Sequence, residues 1–486
     1  GLGGDAFWTI HDPASGRVIC VDGSGLSGRR VGPEHLREMG HTSLPQRGPD
    51  AMLTCPGAIS GWRTALELAA AWGEPLPLDR LLEEAVYYAE HGYPVSAGQA
   101  AYLAEKTEEL REQPGFSAHF LENGQAPAPH SRHTQPALAR TLRRLALEGL
   151  DSFYRGDLAR AIAAELAAVG APLTADDLAA QHGLLTAPLE VAVSGARLYN
   201  TPPPSQGVAS LLILGIYDAL LATRGIRESA ADRDGFALVH DLVECTKQAF
   251  LLRDAHVADP EHMRQDMLEL LKPDMLRRLA GAVDRERAAS WRAAPAGGDT
   301  VWFGVIDSAG RAVSCIQSIY FEFGSGVVLP ETGLTWHNRG LGFSLDSAHP
   351  NHIGPRKRPF HTLNPALALF NDGRVMPYGC MGGEGQPQSQ AAVFARYAWL
   401  GYDLQTAIAA PRWVLGRTWG DSDASLKVED NFSPEIISAL KKAGHVVTEI
   451  KAFNDLMGHA GALVRHSDGL IEGASDPRCD GQAAAY

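Results

Sequence analysis

The chain has 486 residues, of which 45% are hydrophobic and 21% are charged, a composition typical of a folded globular protein. Its formal net charge is −14, so we expect no extended nucleic-acid or anionic-membrane surface, because such surfaces need clustered cationic side chains. The 6 cysteines are scattered without metal-ligand spacing, which favours free thiols in a reducing, cytoplasmic compartment. No apolar run is long enough to span a bilayer.

The first half of the chain is predicted to begin with a β-hairpin and then to be mainly helical. The hairpin pairs a strand that ends at Ile10 with the run from Gly16 to Val21. Thr174-Ala175-Asp176-Asp177 predicts a capping box at the start of a helix. Helical periodicity covers residues 65–72, 81–89, 138–147, 208–221 and 236–253, with further helix to about residue 287.

A second predicted hairpin pairs the run from Asp299 to Asp307 with the run from Arg311 to Ile319. The residues before it, 293–298, are small and flexible, which is the composition of a loop that could be cut. Beyond this hairpin we expect strands and turns, with helices at 388–400 and 433–443 and late strands at 446–453, 461–465 and 470–474.

Thr300, near the start of this hairpin, is the candidate nucleophile. Cleavage of the bond between Asp299 and Thr300 would place a hydroxyl and a free α-amine on one residue. An α-amine has a reference pKa of about 7.7–8.0, so near neutral pH it can take the hydroxyl proton. Taken alone, a buried hairpin that happens to begin with threonine is the ordinary interpretation, because threonine is a good strand residue.

Motifs along nearly the whole chain resemble the γ-glutamyltranspeptidase family of N-terminal-nucleophile hydrolases, and they occur in that family's order. The motifs are Gly3-Gly4-Asp5-Ala6-Phe7, Pro56-Gly57, Phe153-Tyr154-Arg155-Gly156, Pro202-Pro203-Pro204-Ser205-Gln206-Gly207, Phe323-Gly324-Ser325-Gly326-Val327, Lys357-Arg358-Pro359 and Asp476-Pro477-Arg478. The resemblance implies an α+β fold, a four-layer αββα sandwich made as one precursor. It also implies self-cleavage into a large subunit, 1–299, and a small subunit, 300–486, which form a heterodimer. Whether two such heterodimers assemble further is left open.

The resemblance also implies roles for individual residues. Thr300 corresponds to the nucleophile, which serves as its own base. Ser318 stands where the family has a threonine whose hydroxyl bonds to the nucleophile. Gly382 and Gly383 occupy the position whose backbone N–H groups form the oxyanion hole, where two adjacent donors must approach a tetrahedral oxyanion without a side chain between them.

The chain departs from the γ-glutamyl-transferring members at the substrate positions. The family's arginine site reads Asp22-Gly23-Ser24-Gly25, its asparagine position holds Tyr320, and its serine pair is His361-Thr362. Arg339 stands at a neutral or acidic position, and Gly342 replaces the acid that would bind the substrate ammonium. A zwitterionic head with an unpaired ammonium would cost several kcal/mol to bury, so glutathione is disfavoured as substrate.

We expect a small anionic amide instead, because Arg339 suits a carboxylate while Tyr320 and His361 reduce the space. Within that superfamily this profile is similar to that of the members that hydrolyse oxamate to oxalate and ammonia, so the resemblance implies that activity. We expect it to need no metal or cofactor and no nucleic-acid or membrane partner. Three alternatives stay open: a γ-glutamyl hydrolase or transpeptidase, a cephalosporin-acylase-like amidase, and an inactive binding relative. Arg339 could equally form a structural ion pair. We expect His361 to form a hydrogen-bonded wall of the site rather than to act as a catalytic base, because Thr300 would supply its own base.

Overall fold

A computed structural model describes residues 1–222, 234–291, 299–416 and 424–486. The predicted flexible loop 293–298 therefore lies outside the described residues. The chain forms two compact units. The first comprises Gly1–Ala6, Val21–Leu185 and Gln317–Pro359; the second comprises Phe7–Cys20, Thr186–Ile316 and Phe360–Tyr486. Each unit contains chain from both sides of the predicted cleavage point, and the division into two subunits stays a prediction.

Helices and strands are numbered in chain order over the described residues. The α-helices are α1 Pro33–Glu38, α2 Ala58–Ala69, α3 Leu78–His91, α4 Ala97–Leu110, α5 Phe116–Phe120, α6 Pro136–Glu148, α7 Asp157–Val169, α8 Ala175–Ala179, α9 Gly207–Ala222, α10 Phe236–His256, α11 Met267–Leu270, α12 Pro273–Gly281, α13 Gln386–Phe394, α14 Leu404–Ala409 and α15 Pro434–Ala443. The strands are β1 Asp5–Asp12, β2 Arg17–Gly23, β3 Tyr93–Pro94, β4 Arg132–His133, β5 Leu184–Thr186, β6 Leu189–Val193, β7 Ala196–Asn200, β8 Asp299–Ile306, β9 Ala312–Tyr320, β10 Ala366–Phe370, β11 Val375–Cys380, β12 Trp413–Leu415, β13 Leu426–Glu429, β14 Val447–Ile450, β15 Ala460–Arg465 and β16 Ile471–Ser475.

The first unit is mainly helical. In α7, Leu158, Ile162 and Leu166 are spaced four residues apart, so they lie on one face and enter a core shared with α3 and α6. Trp336 is fully buried in the same core. The predicted capping box at Thr174 is confirmed at the start of α8.

The second unit is built on a six-stranded antiparallel sheet in the order β16-β15-β11-β10-β7-β6. Helices α9, α10 and α13 pack together beside this sheet, and α9 contacts β6 and β7. Apolar side chains are buried all around α9, as expected for a helix enclosed on every side.

A second sheet has the strand order β5-β2-β1-β9-β8, which confirms both predicted hairpins. Its edge strand β8 packs on β11 and β15 of the six-stranded sheet. The indole of Trp302 fills this contact, because it lies where a Cβ at Gly379 or Gly461 would be. Its Nε1 donates to Ser314 Oγ at 2.9 Å. The contact between β8 and the six-stranded sheet thus fixes the strand that carries Thr300.

Helix boundaries differ from prediction in two places. Helix α12 ends at Gly281 rather than continuing to about Arg287. The helix expected at 388–400 is α13, which passes into a π-helical turn at Ala395–Trp399. None of the 6 cysteines, all of which the structure describes, is in a disulfide, as predicted. None of the described helices combines the length and apolar character needed to cross a bilayer.

Candidate active site

Thr300 is the second residue of strand β8 and lies on the same face as Trp302, because side chains alternate along a strand. Trp302 faces the six-stranded sheet, so Thr300 is directed toward that sheet as well. The opposite face of β8 carries Val301, Phe303 and Val305, whose exposed fractions are 55%, 44% and 52%. The pattern of the strand therefore turns the candidate nucleophile inward.

A cavity of about 300 Å³ lies beside Thr300 in the second unit. Its lining also includes Met381 and His459, and His459 Nε2 is 3.3 Å from Asp455 Oδ1. Ser475, Cys479 and Gln482 supply further polar groups from the C-terminal segment. Of the predicted site residues that the structure describes, Thr300 alone lines this cavity.

Gly382 and Gly383 directly follow Met381, after the end of β11, and have φ angles of +121° and +53°. Side-chain-bearing residues rarely adopt such values, so the pair needs glycine. The carbonyl of Met381 accepts from Cys380 Sγ at 2.9 Å, and the carbonyl of Gly382 accepts from the N–H of Gly385 at 2.8 Å.

A trans peptide plane points its N–H opposite its carbonyl, so these two anchors direct the N–H groups of Gly382 and Gly383 away from Cys380 and Gly385. Neither N–H donates a hydrogen bond to another residue in the described part of the chain. Two adjacent backbone donors of this kind can stabilise an oxyanion. Their assignment as the oxyanion hole stays a prediction.

Gln206 joins the glycine pair to the predicted substrate positions His361 and Thr362. Its Nε2 donates to the carbonyls of Thr362 at 2.7 Å and Gly383 at 2.9 Å. Its backbone N–H donates to the carbonyl of His361 at 2.8 Å. Both predicted residues are almost fully buried, and the centres of the His361 and Phe7 rings lie 4.8 Å apart in an edge-to-face arrangement. These contacts are those of packed, structural side chains rather than of a catalytic base. The role of His361 and Thr362 in substrate binding stays a prediction.

Arg253 and Glu384 complete this network and were missed by the sequence analysis. Arg253 Nη1 donates to Gln206 Oε1 at 2.9 Å, and Nη2 donates to Glu384 Oε2 at 2.7 Å. Burial raises the pKa of Glu384, while the Arg253 charge acts against that rise. Gln206 belongs to the family motif at residues 202–207. Arg253 lies in an ordinary helical pattern, and no neighbouring residue indicates a functional role for it.

The first unit holds the predicted residues Ser318, Tyr320 and Arg339. Ser318 Oγ accepts from the backbone N–H of Tyr320 at 2.8 Å, and Tyr320 has φ +78°, which is rare for a bulky residue. The guanidinium of Arg339 lies 3.5 Å from the centre of the Tyr320 ring. Burial lowers the pKa of Arg339 to about 10, which leaves it cationic at neutral pH. The structure thus brings Tyr320 and Arg339 together as a cation–π pair.

One cluster in the described residues has the donor types of a metal site: His240, Glu244 and His445. Its atoms already bond to one another and to neighbours. His240 Nδ1 lies 2.8 Å from His445 Nε2, and Glu244 Oε1 accepts from the Lys247 ammonium at 2.6 Å. Because that buried ammonium already neutralises the carboxylate, the geometry fits a structural polar cluster better than a divalent cation. Independence from metals and cofactors remains a prediction.

A hydroxyl nucleophile beside a cavity and a pair of directed backbone N–H groups are the kinds of group that acyl-transfer hydrolases use. The chain belongs to the γ-glutamyltranspeptidase family, whose model matches residues 1–486. Its relatives are hydrolases of amide bonds, which confirms the predicted enzyme class.

Two curated relatives and one solved structure illustrate the similarity. The chain is 52% identical to the oxamate amidohydrolase proenzyme of Klebsiella pneumoniae, over 100% of this chain and 90% of that protein. It is 39% identical to the glutathione hydrolase-like YwrD proenzyme of Bacillus subtilis, over 99% of this chain and 90% of that protein. The crystal structure of cephalosporin acylase from Bacillus halodurans has a TM-score of 0.88 and 31% identity, and the match covers 100% of this chain and 88% of that one. These similarities confirm the predicted fold class.

Proposed function

We propose that this protein is a self-processing amidohydrolase that converts oxamate to oxalate and ammonia, with Thr300 as the nucleophile. The observation that carries the proposal is the 52% identity, over the whole chain, to an oxamate amidohydrolase proenzyme. The inward direction of Thr300, the cavity beside it and the paired N–H groups of Gly382 and Gly383 support the chemistry.

Processing comes first. The Thr300 hydroxyl attacks the carbonyl carbon of Asp299, the peptide C–N bond breaks, and the nitrogen gains a proton as the α-amine of Thr300. Water then hydrolyses the resulting ester, which leaves a carboxylate on Asp299 and frees the threonine hydroxyl. The names of relatives as proenzymes support this step.

Turnover uses the amine that processing has released. The neutral α-amine of Thr300 takes the proton from its own hydroxyl, and the oxygen attacks the amide carbon of the substrate. The N–H groups of Gly382 and Gly383 receive the oxyanion. Ammonia leaves with a proton from the α-ammonium, and water hydrolyses the acyl ester by the same route. Ser318 is proposed to orient the nucleophile.

Substrate choice follows from charge and size. Oxamate carries a carboxylate directly beside its amide, so it needs a cation and little space. Arg339 is proposed to bind that carboxylate, since a guanidinium matches it with two donors, and Tyr320 holds the guanidinium from one face. His361 and Thr362 are proposed to limit the length of the acyl group.

An acylase acting on a larger acyl group is the second candidate. It is favoured by the similarity to cephalosporin acylase, whose TM-score is 0.88. The chain is also similar to a glutathione hydrolase-like protein, so a γ-glutamyl substrate belongs in the same comparison.

The test is to supply purified, processed protein with oxamate, a γ-glutamyl anilide and an acylated cephalosporin in parallel. We expect equal amounts of ammonia and oxalate from oxamate, and little release from the other two. Thr300→Ala is the matched blank for contaminating amidases. If product is released only from the anilide or only from the cephalosporin, that compound replaces oxamate as the proposed substrate. If product is released from none of the three compounds, the proposed function is rejected.

A further inference from the structure

We propose that Arg253 is a positioning residue for the oxyanion hole: it orients Gln206 and Glu384, and through them fixes the backbone of Gly382 and Gly383. This inference rests on the proposed function insofar as acyl transfer needs that hole. Arg253 itself touches neither Thr300 nor the glycine N–H groups in the contacts described above, so its effect is indirect.

The first step is the orientation of the Gln206 amide. A glutamine amide has one acceptor oxygen and two N–H donors. Gln206 Oε1 accepts from Arg253 Nη1 at 2.9 Å, which leaves Nε2 to donate to the carbonyls of Thr362 and Gly383 at 2.7 and 2.9 Å. Turning the amide over would place its oxygen against two carbonyls and its NH₂ against a guanidinium. Arg253 therefore selects the orientation that holds Gly383.

The second step concerns Glu384, the residue after the glycine pair. Its Oε2 accepts from Arg253 Nη2 at 2.7 Å. The peptide plane between Gly383 and Glu384 is thus fixed on both sides, by Gln206 at the carbonyl and by Arg253 through the side chain. Glycine gives this loop no conformational restriction of its own, so the anchors must supply it.

Arginine suits this position because it uses separate nitrogens for separate partners. Its Nε donates to Asp254 at 2.7 Å, in addition to the two Nη contacts. The guanidinium is almost fully buried and lies 3.8 Å from the centre of the Phe250 ring. A lysine ammonium could neutralise Glu384 but could not reproduce this planar set of contacts.

The experiment compares Arg253→Lys and Glu384→Gln with wild type, using processed protein and whichever amide wild type hydrolyses. Arg277→Lys is the matched control, because that arginine lies on the surface of α12 and pairs only with Asp274 among the described residues. We expect kcat to fall about 10- to 100-fold in both test variants with KM within about twofold, since a misdirected oxyanion donor acts on the transition state. The control should keep the wild-type kcat.

Two results would overturn the inference: both variants fold and keep the wild-type kcat, or the loss appears in KM while kcat is unchanged. If Arg253→Lys does not fold, Glu384→Gln decides, because it keeps the side-chain volume. Failure of both to fold counts against a positioning role and leaves Arg253 purely structural. If the wild-type protein hydrolyses only another amide, oxamate is rejected as the substrate, and the test of Arg253 can still be made with that amide. A wild type inactive on every amide rejects both proposals.

Discussion

The indole of Trp302 lies directly against the bare backbone of Gly379 in strand β11. Only a glycine leaves room for the ring at this point, because a Cβ on residue 379 would overlap it. Trp302 is two residues after Thr300 on the same strand, so this contact sets the distance between the proposed nucleophile and the six-stranded sheet.

Gly379→Ala is expected to lower the free energy of unfolding by about 1–3 kcal/mol, the usual cost of overpacking a dense interior. We also expect a lower kcat, because β8 must move to relieve the overlap. Chemical denaturation measures the first effect and ammonia release the second. Gly281→Ala is the control, since a Cβ there meets nothing within 4 Å. Equal stability of the two variants would contradict the close approach.

Thr300→Ala should remain a single uncut chain without amidase activity, because the substitution removes the oxygen that both processing and turnover need. Thr300→Ser keeps a hydroxyl and should still be cleaved, though more slowly. Mass spectrometry of the purified proteins gives the answer. An alanine variant that is still cut between residues 299 and 300 would disprove the nucleophile assignment.

Gly382→Ala should reduce kcat about 10²-fold or more, because alanine is strained at φ +121° and the backbone must rotate the N–H groups away. Gly401→Ala is a suitable control. It introduces a residue at φ +73°, where a Cβ meets nothing within 4 Å. We expect it to lose about 1–2 kcal/mol of stability and to keep kcat. Steady-state kinetics on both variants separate backbone strain from oxyanion binding.

Asp476→Asn is expected to lower the free energy of unfolding by about 3–5 kcal/mol, because it leaves Arg412 and Arg478 buried with too little negative charge. Burial alone would raise the pKa of Asp476, but the two arginines outweigh it and hold the pKa below its usual value. The stability from Asp476 is therefore present above the unfolded pKa and is lost as pH falls through the folded one. Denaturation at neutral and acidic pH measures this.

The matched control for Asp476→Asn is Asp372→Asn. Asp372 pairs with Arg374 but its side chain is 57% exposed, so its loss should cost no more than about 1 kcal/mol. The difference between the two variants should shrink on acidification. A constant difference would show that charge neutralisation at residue 476 is not the cause.

His445 should make the fold acid-sensitive. Burial, followed by electrostatic interactions with Lys247 and His240, lowers the pKa of His445 from its usual 6.5 to about 3. Below about pH 6.5, His445 therefore binds a proton in the unfolded chain but not in the folded one. The free energy of unfolding falls as the pH drops from there toward 3. The slope from this residue cannot exceed about 1.4 kcal/mol per pH unit. His445→Gln should remove that part of the slope in thermal unfolding across this range.

Local patterns predicted much of the fold. The hairpin that carries Thr300, the capping box at Thr174 and the helix predicted at 433–443 each depend on residues close together in sequence, and all are present. The glycine pair was found only through the family resemblance, since two adjacent glycines more often mark a turn.

The Arg253 network could not be predicted in this way. Arg253, Gln206 and Glu384 are far apart in sequence, and Gln206 binds backbone carbonyls, which every residue possesses. Such a contact depends on how the chain folds, so the identities of the residues do not reveal it. The prediction carried helix α12 past Gly281, to about residue 287, because an apolar pattern alone does not mark where a helix ends.

Strands β7 and β10 lie on opposite sides of the proposed cut, yet they pair along their length, with Leu198 opposite Ala368. The six-stranded sheet thus takes two strands from the chain before Asp299 and four from the chain after it. Scission would change the covalent connectivity and leave this ladder intact. Separating the two fragments would expose unpaired strand edges and the apolar interior of the sheet. We therefore expect the cleavage to be irreversible and the two polypeptides to stay together until they denature.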